Sequence, residues 1–328
     1  MATTVVSKTG VAAAAGVGQA GPKRPGPVRK HLAAYVMCAP TIVLFLVFMA
    51  FPIIFVIYTS FLDWNGIESV WDADWVGGDN YRQLFEDETW WKAVRNTVMY
   101  AVIKLAVELP LALVIALVLS SKLRGVTFFR TVGFLPVVTS IAVVSLAFTF
   151  FFSPLGGPFN TLLLDLGFID TPIAYLGERD YAFWTVTGVA VWHDLGINMV
   201  FFLAALQTVS RDLYEAAALD GARAWNKFRD ITVPAIRPIT AVIVMLSMAG
   251  SLKVFDIFAV MTAGGPGFST TTMVLYMFRY TSFGGGGLSG NQTIPTVGYG
   301  ATIAIGLGLI IFVAILIQQM ISRWQEGR

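Results

Sequence analysis

Charged side chains within long apolar segments are the residues of this sequence whose types and spacing could do chemistry. Lys104 and Glu108 are four residues apart in one such segment, so on a helix they share a face and can form an ion pair. A charge inside a bilayer is costly, so each one requires a partner or a function. Two interpretations stay open: an ion pair that is satisfied within its own helix, and a pair that lines a transport path.

Two later apolar segments carry polar groups of the same kind. Asp194 and Asn198 are four residues apart and share a helix face; they could bind a hydrated sugar or hydrogen-bond a neighbouring helix. Lys253 and Asp256 are three residues apart and can pair. Phe255 beside them could stack on a sugar ring. Either group could face a path or a neighbouring helix.

Several kinds of active site are excluded by the sequence. It contains no Gly-x4-Gly-Lys-Ser/Thr segment, so the chain does not bind ATP by that route. It also lacks a paired-His metal motif and a nucleophile elbow. The two histidines, His31 and His193, are too few for a His-based metal site. Cys38 is the only cysteine, so no intramolecular disulfide can form.

The composition is that of an integral membrane protein. Of 328 residues, 56% are hydrophobic and 13% are charged, with a mean hydropathy of +0.71, whereas soluble domains carry about 25% charged residues. A helix needs about 20 apolar residues to cross a bilayer. The predicted fold is therefore an all-α membrane protein with six transmembrane helices, at residues 32–61 (kinked near Pro40 or Pro52), 93–120, 131–152, 183–209, 239–261 and 297–321.

The distribution of Lys and Arg predicts that the N- and C-termini are both cytoplasmic. Basic residues concentrate before the first span and in the segments that this orientation places inside, whereas acids and tryptophans concentrate at 62–91. Residues 1–30, which are basic and rich in Gly and Ala, are predicted to form a disordered cytoplasmic tail. Residues 31–328 are predicted to form the transmembrane domain, with a short interfacial helix around 272–280.

A polar, basic segment at 215–238, EAAALDGARAWNKFRDITVPAIRP, separates the fourth and fifth predicted spans. Ser210 is a predicted N-cap, followed by carboxylates that suit the positive end of a helix dipole. Gly221 allows a turn, because glycine enters positive φ without steric cost. A second short helix is predicted at 222–230, closed by Pro234, which lacks the amide donor.

The spacing within this segment resembles the EAA loop of ABC-importer permeases: Glu-Ala-Ala, three residues, Gly, nine residues, Ile, one residue, Val-Pro. Val233 stands where that family usually has Leu. The resemblance implies a cytoplasmic coupling helix that docks into a cleft on an ATPase, with Glu215 contacting the ATPase and Gly221 shaping the turn. The implied coupling residues are Glu215, Ala216, Ala217, Asp220, Gly221 and Pro234.

Three other stretches resemble the carbohydrate-importer branch of this family. Residues 255–283 contain Phe-Asp, Gly-Gly-Pro and a Ser/Thr cluster, residues 75–100 resemble the first outer loop, and Phe-Leu-Pro at 134–136 fits the third span. Together they point to maltose- and glycerol-phosphate-type permeases, and to the first of the two permease subunits. The resemblance covers most of residues 32–323.

The resemblance implies a permease subunit of an ATP-driven importer for a mono-, di- or oligosaccharide. The implied partners are a second homologous permease, two copies of a cytoplasmic ABC ATPase, an extracytoplasmic sugar-binding protein and membrane lipid; no nucleic acid is expected. ATP and Mg would bind the partner ATPase, so this chain is expected to hold no cofactor or metal and to catalyse no reaction. The candidate path residues are Lys104, Glu108, Asp194, Asn198, Lys253, Phe255 and Asp256.

Two alternatives stay open. The chain could belong to an importer of glycerol-3-phosphate or another polar solute. It could instead be an ion-coupled secondary transporter, with Glu108, Asp194 or Asp256 as the titrating group. The second alternative leaves the EAA spacing unexplained, and the sequence shows no convincing inverted repeat.

Overall fold

The computed structural model describes residues 27–121, 124–281 and 296–326, and the side chains of 35–121, 124–281 and 296–322. The run Gly284–Gly287, which the sequence marks as glycine-rich, lies outside these residues. The chain divides into two units, 1–54 and 55–328.

The first unit is helical from Pro27 onward. It contains α1 (Pro27–Phe45), a π-helical turn (Leu46–Ala50) and the beginning of α2 (Phe51–Thr59). The sequence predicts a kink near Pro40 or Pro52; Pro40 lies within α1, and the π turn ends two residues before Pro52. Residues 27–30 are helical, so the prediction of a disordered tail is wrong there, and the rest of the tail lies outside the described residues.

Helices also dominate the second unit. A two-stranded antiparallel ribbon, which the all-α prediction missed, pairs β1 (Leu62–Asp63) with β2 (Asp74–Trp75). The helices are α3 (Asp79–Glu86), α4 (Glu88–Ser120), α5 (Val126–Val138), α6 (Ile141–Phe151), α7 (Pro158–Asp165), α8 (Arg179–Gln207), α9 (Arg211–Leu219), α10 (Ala224–Lys227), α11 (Val233–Leu252), α12 (Asp256–Met261), α13 (Met273–Thr281) and α14 (Val297–Glu326).

Five helical segments in the described part of the chain are long and apolar enough to cross a membrane, and a bent pair raises the number to six if it counts as one span. The bent pair is α5 and α6, which meet at 94°. The five are Tyr35–Thr59, Glu88–Ser120, Arg179–Gln207, Ala224–Met261 and Val297–Ser322.

The predicted third span, residues 131–152, corresponds to this bent pair rather than to one continuous helix. The break falls at Thr139 and Ser140, whose ψ angles of 138° and 131° are extended rather than helical. Pro136 lies one turn earlier and has no amide hydrogen for the helix ladder. The sequence showed this proline, but not that the chain would turn through nearly a right angle after it.

The fifth predicted span, residues 239–261, is interrupted near its end. α11 stops at Leu252, and the backbone leaves helical geometry at Phe255, where φ is −137° and ψ is −65°, before α12 begins. No ion pair joins Lys253 to Asp256. The spacing of three residues brings side chains together only on a continuous helix, and here the helix is interrupted between them.

The packing centres on α4 and α8, which contact each other along their lengths. Toward the N-terminal ends of these helices, Tyr100, Phe183 and Phe258 form an apolar cluster. Toward their C-terminal ends, Ala112 and Phe202 belong to a second cluster, which α11 completes. Together these two clusters hold α8 against α4 at both ends of the helix pair.

Gly196 allows α8 to approach α5 closely. A Cβ at this position would lie 2.3 Å from the Gly133 carbonyl oxygen and 3.1 Å from Phe134 Cα. These are backbone atoms, which cannot turn away as a flexible side chain can. Gly188, two turns earlier on the same helix, has no atom within 4 Å of the corresponding position.

We predict that Gly196→Ala destabilises the protein, whereas Gly188→Ala does not. The close contact with α5 forces the two helices apart, at a free-energy cost of about 1–3 kcal/mol. Alanine at Gly188 meets open space and favours the helix. Thermal unfolding midpoints of the two variants in detergent measure the effect; equal midpoints would contradict the packing described here.

Candidate functional site

A buried charged cluster joins α4 to α8. Lys104 Nζ lies 3.2 Å from Glu108 Oε2, which confirms the predicted pair, and 2.8 Å from Asp194 Oδ2. The side chains of Lys104 and Glu108 are 6% and 1% exposed, whereas that of Asp194 is 36% exposed. One cation therefore bridges two carboxylates on two helices, and only Asp194 is substantially open.

Hydrogen bonds extend this cluster to α11. The Asn198 side-chain amide donates to Glu108 Oε1, and Ser247 Oγ donates to Asn198 Oδ1 at 2.9 Å. Asn198 is buried. Sequence analysis predicted Asn198 as a polar group of this face but missed Ser247, because a serine within an apolar helix carries no spacing signal of its own.

His193 connects the cluster to the break between α5 and α6. Its Nδ1 lies 2.6 Å from Asp194 Oδ1, and its Nε2 lies 3.3 Å from the Thr139 carbonyl oxygen. Thr139 is the residue at which α5 ends, so its carbonyl lies at a helix end that has lost regular partners. The imidazole thus helps to hold the bent segment against α8.

The predicted path residues fall into two groups, those within the buried cluster and those outside it. Lys104, Glu108 and Asn198 satisfy one another, as expected of polar groups that hold helices together in a membrane. Lys253 and Asp256 are exposed and lie outside the cluster. The Phe255 ring is 5.0 Å from that of Phe278, centroid to centroid.

The EAA segment, defined here as residues 210–234, begins with a capped helix. Ser210 Oγ accepts a hydrogen bond from the Asp212 amide at 3.2 Å, which confirms the predicted N-cap of α9. Tyr214, one turn along, exchanges a hydrogen bond of 2.8 Å with Thr232 Oγ1. This contact ties α9 to the end of the segment, and sequence analysis missed it because the two residues are eighteen positions apart.

Gly221 makes the turn after α9, as predicted. Its φ is +77°, and the Ala222 amide donates back to the Ala217 carbonyl at 2.9 Å. Such a left-handed residue after a helix end favours glycine. Asp220, which precedes it, ends α9 and is exposed.

The prediction that Pro234 closes the second short helix is wrong. α10 continues through a π turn (Phe228–Thr232) directly into α11. The Val233 amide donates to the Phe228 carbonyl, five residues back, and Pro234 lies in the first turn of α11. The π turn changes the hydrogen-bond register just before a residue that has no donor, so the helix runs on.

The EAA segment presents apolar side chains to its surroundings. Leu213 is 52% exposed, Trp225 is 66% exposed and Leu219 is 91% exposed. None of these three apolar residues was among the predicted coupling residues. Glu215, Ala216 and Pro234 are exposed, and Ala217 is half-buried. Exposed apolar groups beside charges are typical of a protein-binding surface.

A network around Asp87, which sequence analysis missed, joins the N-terminus of α4 to α13 and α14. Asp87 Oδ1 caps α4 by accepting from the Thr89 and Trp90 amides at 2.8 and 3.3 Å. Its Oδ2 accepts from the hydroxyls of Tyr276 and Tyr299. Burial raises the pKa of the Tyr276 phenol, and the hydrogen bond to Asp87 raises it further. The network therefore holds three helices together at one end of α4.

Apolar helices of membrane-spanning length that are joined by a buried interhelical charge cluster define a polytopic membrane protein. Comparison with known proteins agrees. Residues 108–327 match the family described as the binding-protein-dependent transport system inner membrane component. The chain belongs to this family, and it is therefore an inner-membrane component of such a transport system.

Similar proteins of nearly equal length are transport permeases. The lactose transport system permease protein of Rhizobium radiobacter is 33% identical over 292 residues, 88% of this chain and 93% of that one. The arabinooligosaccharides transport system permease protein of Bacillus subtilis is 33% identical over 301 residues, 91% of each chain.

The trehalose/maltose transport system permease protein of Thermococcus litoralis is 30% identical over 268 residues, 82% of this chain and 90% of that one. The fold matches that of a chain in a bacterial ABC transporter involved in the import of the acidic polysaccharide alginate. The TM-score is 0.75 and the identity 24%, over 90% of this chain and 96% of that one.

We predict that Lys104→Met destabilises the protein by about 3–5 kcal/mol, because it leaves two carboxylates without their buried cation. Lys92→Met is the matched control: Lys92 pairs with Glu88 at 3.5 Å on the same helix, but both side chains are exposed, so its loss has little effect. Unfolding in detergent compares the two variants. If charge pairing is the cause, adding Glu108→Gln to Lys104→Met restores part of the lost stability; no recovery would contradict this.

Proposed function

We propose that this chain is a permease subunit of an ATP-driven importer for a carbohydrate. Three relatives at 30–33% identity are named for lactose, arabinooligosaccharides and trehalose/maltose, and the matching fold belongs to an alginate importer. These names share one class of solute, a carbohydrate, and the three relatives are named for di- or oligosaccharides. They favour a sugar over glycerol-3-phosphate, and nothing in the comparisons favours an ion-coupled transporter.

The proposed assembly contains a second, homologous permease, two copies of a cytoplasmic ABC ATPase and an extracytoplasmic sugar-binding protein. The family's dependence on a binding protein supports the last of these, as does the alginate transporter, which is described in complex with a periplasmic protein that holds an alginate pentasaccharide. The sequence carries no P-loop, so ATP and Mg bind the partner ATPase in this proposal.

The observation that carries the proposal is the placement of the EAA segment between α8 and α11. These two helices also carry the Asn198–Ser247 hydrogen bond of the buried cluster. By helix geometry, Asn198 lies roughly 14 Å from the end of α8, and Ser247 roughly 21 Å from the start of α11. A displacement of α9 therefore acts directly on the two helices that hold the cluster.

The exposed apolar side chains of the EAA segment would dock into the ATPase, with Glu215 at the contact. The Tyr214–Thr232 hydrogen bond would make α9 move together with the first turn of α11. Closure of the ATPases would then rock α8 and α11 as rigid bodies and alternate access to the path. In this proposal both termini and the EAA segment are cytoplasmic, and bent α5 and α6 make one crossing.

Asp194 is the proposed polar contact of the sugar path among the cluster residues. Its side chain is 36% exposed, and Lys104 and His193 orient its two oxygens. A carboxylate held in this way can accept hydrogen bonds from sugar hydroxyls. In this proposal Lys104, Glu108 and Asn198 do not contact the sugar but hold the Asp194 side chain in position. Lys253 and Asp256 remain candidates only as exposed groups beside the break after α11.

We predict that Gly221→Leu abolishes coupled uptake, whereas Gly167→Leu does not. The two glycines have φ of +77° and +71° and no atom within 4 Å of an added Cβ, so both substitutions carry the same backbone strain of about 1–2 kcal/mol. Only Gly221 lies in the proposed docking surface. Binding-protein-dependent uptake in vesicles measures the difference, with membrane levels of each variant as control; equal uptake would contradict the docking role.

Reversal of charge at Glu215 tests the same surface chemically. We predict that Glu215→Lys leaves the protein folded but loses most ATP-driven uptake, because the contacting carboxylate becomes a cation. Asp165→Lys, at an exposed acid at the end of α7, is the control and keeps uptake. Normal uptake by Glu215→Lys would count against coupling through this residue.

Co-purification from the native membrane tests the assembly. In mild detergent, the tagged chain is expected to bring with it a second permease and an ATPase, and the Glu215→Lys variant to lose the ATPase while it keeps the permease. Uptake in reconstituted vesicles should require ATP and be insensitive to ionophores that collapse ion gradients. A chain that moves solute alone, driven by an ion gradient, would overturn the proposal in favour of an ion-coupled transporter.

A further inference from the structure

A cavity of about 770 Å³ lies between the EAA segment and the helix ends beneath it. One wall is formed by Ser120 at the end of α4 and by Leu206 and Gln207 at the end of α8. The opposite wall belongs to the EAA segment and includes Tyr214 and Thr232.

Three cationic side chains line this cavity from separate elements. Arg130 extends from α5, Arg211 begins α9, and Lys227 ends α10. Among the described residues that line the cavity, none is acidic. Within that part of the chain, none of the three cations has a carboxylate within 4 Å. Like charges that converge on one space without a counterion repel one another, and an anion placed there relieves the repulsion.

The guanidinium of Arg130 has one hydrogen-bond donor that is satisfied by the protein and one that is not. One of its terminal nitrogens, Nη2, donates to the Leu119 carbonyl at 2.8 Å, which fixes the side chain in place. Its Nε is buried and has no hydrogen-bond partner in the protein. A buried donor without an acceptor is unfavourable, more so when the group is charged. An oxyanion in the cavity would balance the charge of this guanidinium, although the buried Nε itself is shielded from the cavity.

We propose that this cavity binds a phosphate group and thereby fastens the EAA segment to the helix bundle. Two guanidinium groups and one ammonium suit a phosphate better than a carboxylate, because a phosphate monoester carries between one and two negative charges near neutral pH. Its several oxygens also accept the paired donors of arginine. The group belongs either to a lipid headgroup at the membrane surface or to a small soluble phosphate compound.

A bound phosphate bridges parts of the chain that otherwise meet through few polar contacts. Arg130 belongs to the bundle, whereas Arg211 and Lys227 lie on the two short helices of the EAA segment. The anion therefore reduces the freedom of α9 and α10 relative to α5. The binding step does not depend on the transport role proposed above, so failure of one leaves the other standing.

The test is protection of arginines from phenylglyoxal in the full chain, purified with the subunits that accompany it. Peptide mass spectrometry then reports modification at Arg130 and Arg211 separately from Arg223, an exposed arginine of the same segment that does not line the cavity. One arm uses nanodiscs of phosphatidylcholine with added inorganic phosphate, against chloride at equal ionic strength. The second arm uses nanodiscs that contain phosphatidic acid, without added phosphate.

We expect protection of Arg130 and Arg211, but not of Arg223. Protection by inorganic phosphate identifies a soluble ligand as sufficient, and protection by phosphatidic acid alone identifies a lipid headgroup; both support the site. Absence of protection in both arms overturns it. Equal protection of Arg223, or equal protection by chloride, also overturns it, because either result means general screening of charge.

Two substitutions and one control variant separate binding from folding. Lys227→Gln removes one cation without touching the Arg130–Leu119 hydrogen bond and should weaken phosphate binding by about tenfold, as measured by the concentration that protects Arg211. Arg223→Gln, the matched control, should leave that concentration unchanged. Arg130→Gln should abolish protection of Arg211, provided that its thermal midpoint shows a folded protein. Unchanged affinity in Lys227→Gln would contradict the proposed site.

Discussion

The burial of Lys104 is the constraint on which the centre of this protein depends. A cation 6% exposed within an apolar bundle must be met by negative charge, because water cannot reach it and the low dielectric magnifies any imbalance. Glu108 supplies one carboxylate from the same helix, and Asp194 supplies the other from α8. These ion pairs specify the register of α4 against α8, which apolar packing alone does not.

The hydrogen bonds around this pair extend the same constraint to the rest of the bundle. Asn198 and Ser247 bring in α11, and His193 brings in the end of α5. In lipid, helices are not driven together by a hydrophobic force, so such bonds and close backbone contacts hold them. Gly196 supplies the close contact, since its missing Cβ leaves room for the Gly133 carbonyl. The bend between α5 and α6 is thus held by both a polar and a steric contact.

The EAA segment connects α8 to α11, so a partner that binds this segment can move both helices. It follows α8 without a long linker and runs into α11 without a helix break, because the π turn before Pro234 keeps the hydrogen-bonded chain continuous. Its apolar side chains remain exposed, while Tyr214 and Thr232 keep its two halves together. The arrangement combines a surface suited to a partner with a stiff connection to the charged core.

Patterns within continuous stretches of the sequence determined the family, the membrane-spanning helices, the N-cap at Ser210, the turn at Gly221 and the Lys104–Glu108 pair, because none of these depends on which distant parts of the chain meet. Only the tertiary structure determined that Asp194 shares that lysine, that Asp87 binds two tyrosines 189 and 212 residues away, and that α5 turns sharply from α6. It also separated Lys253 from Asp256, whose spacing fitted a pair. Helical spacing specifies which side chains share a face, but the path of the backbone and the approach of distant helices specify which of them meet.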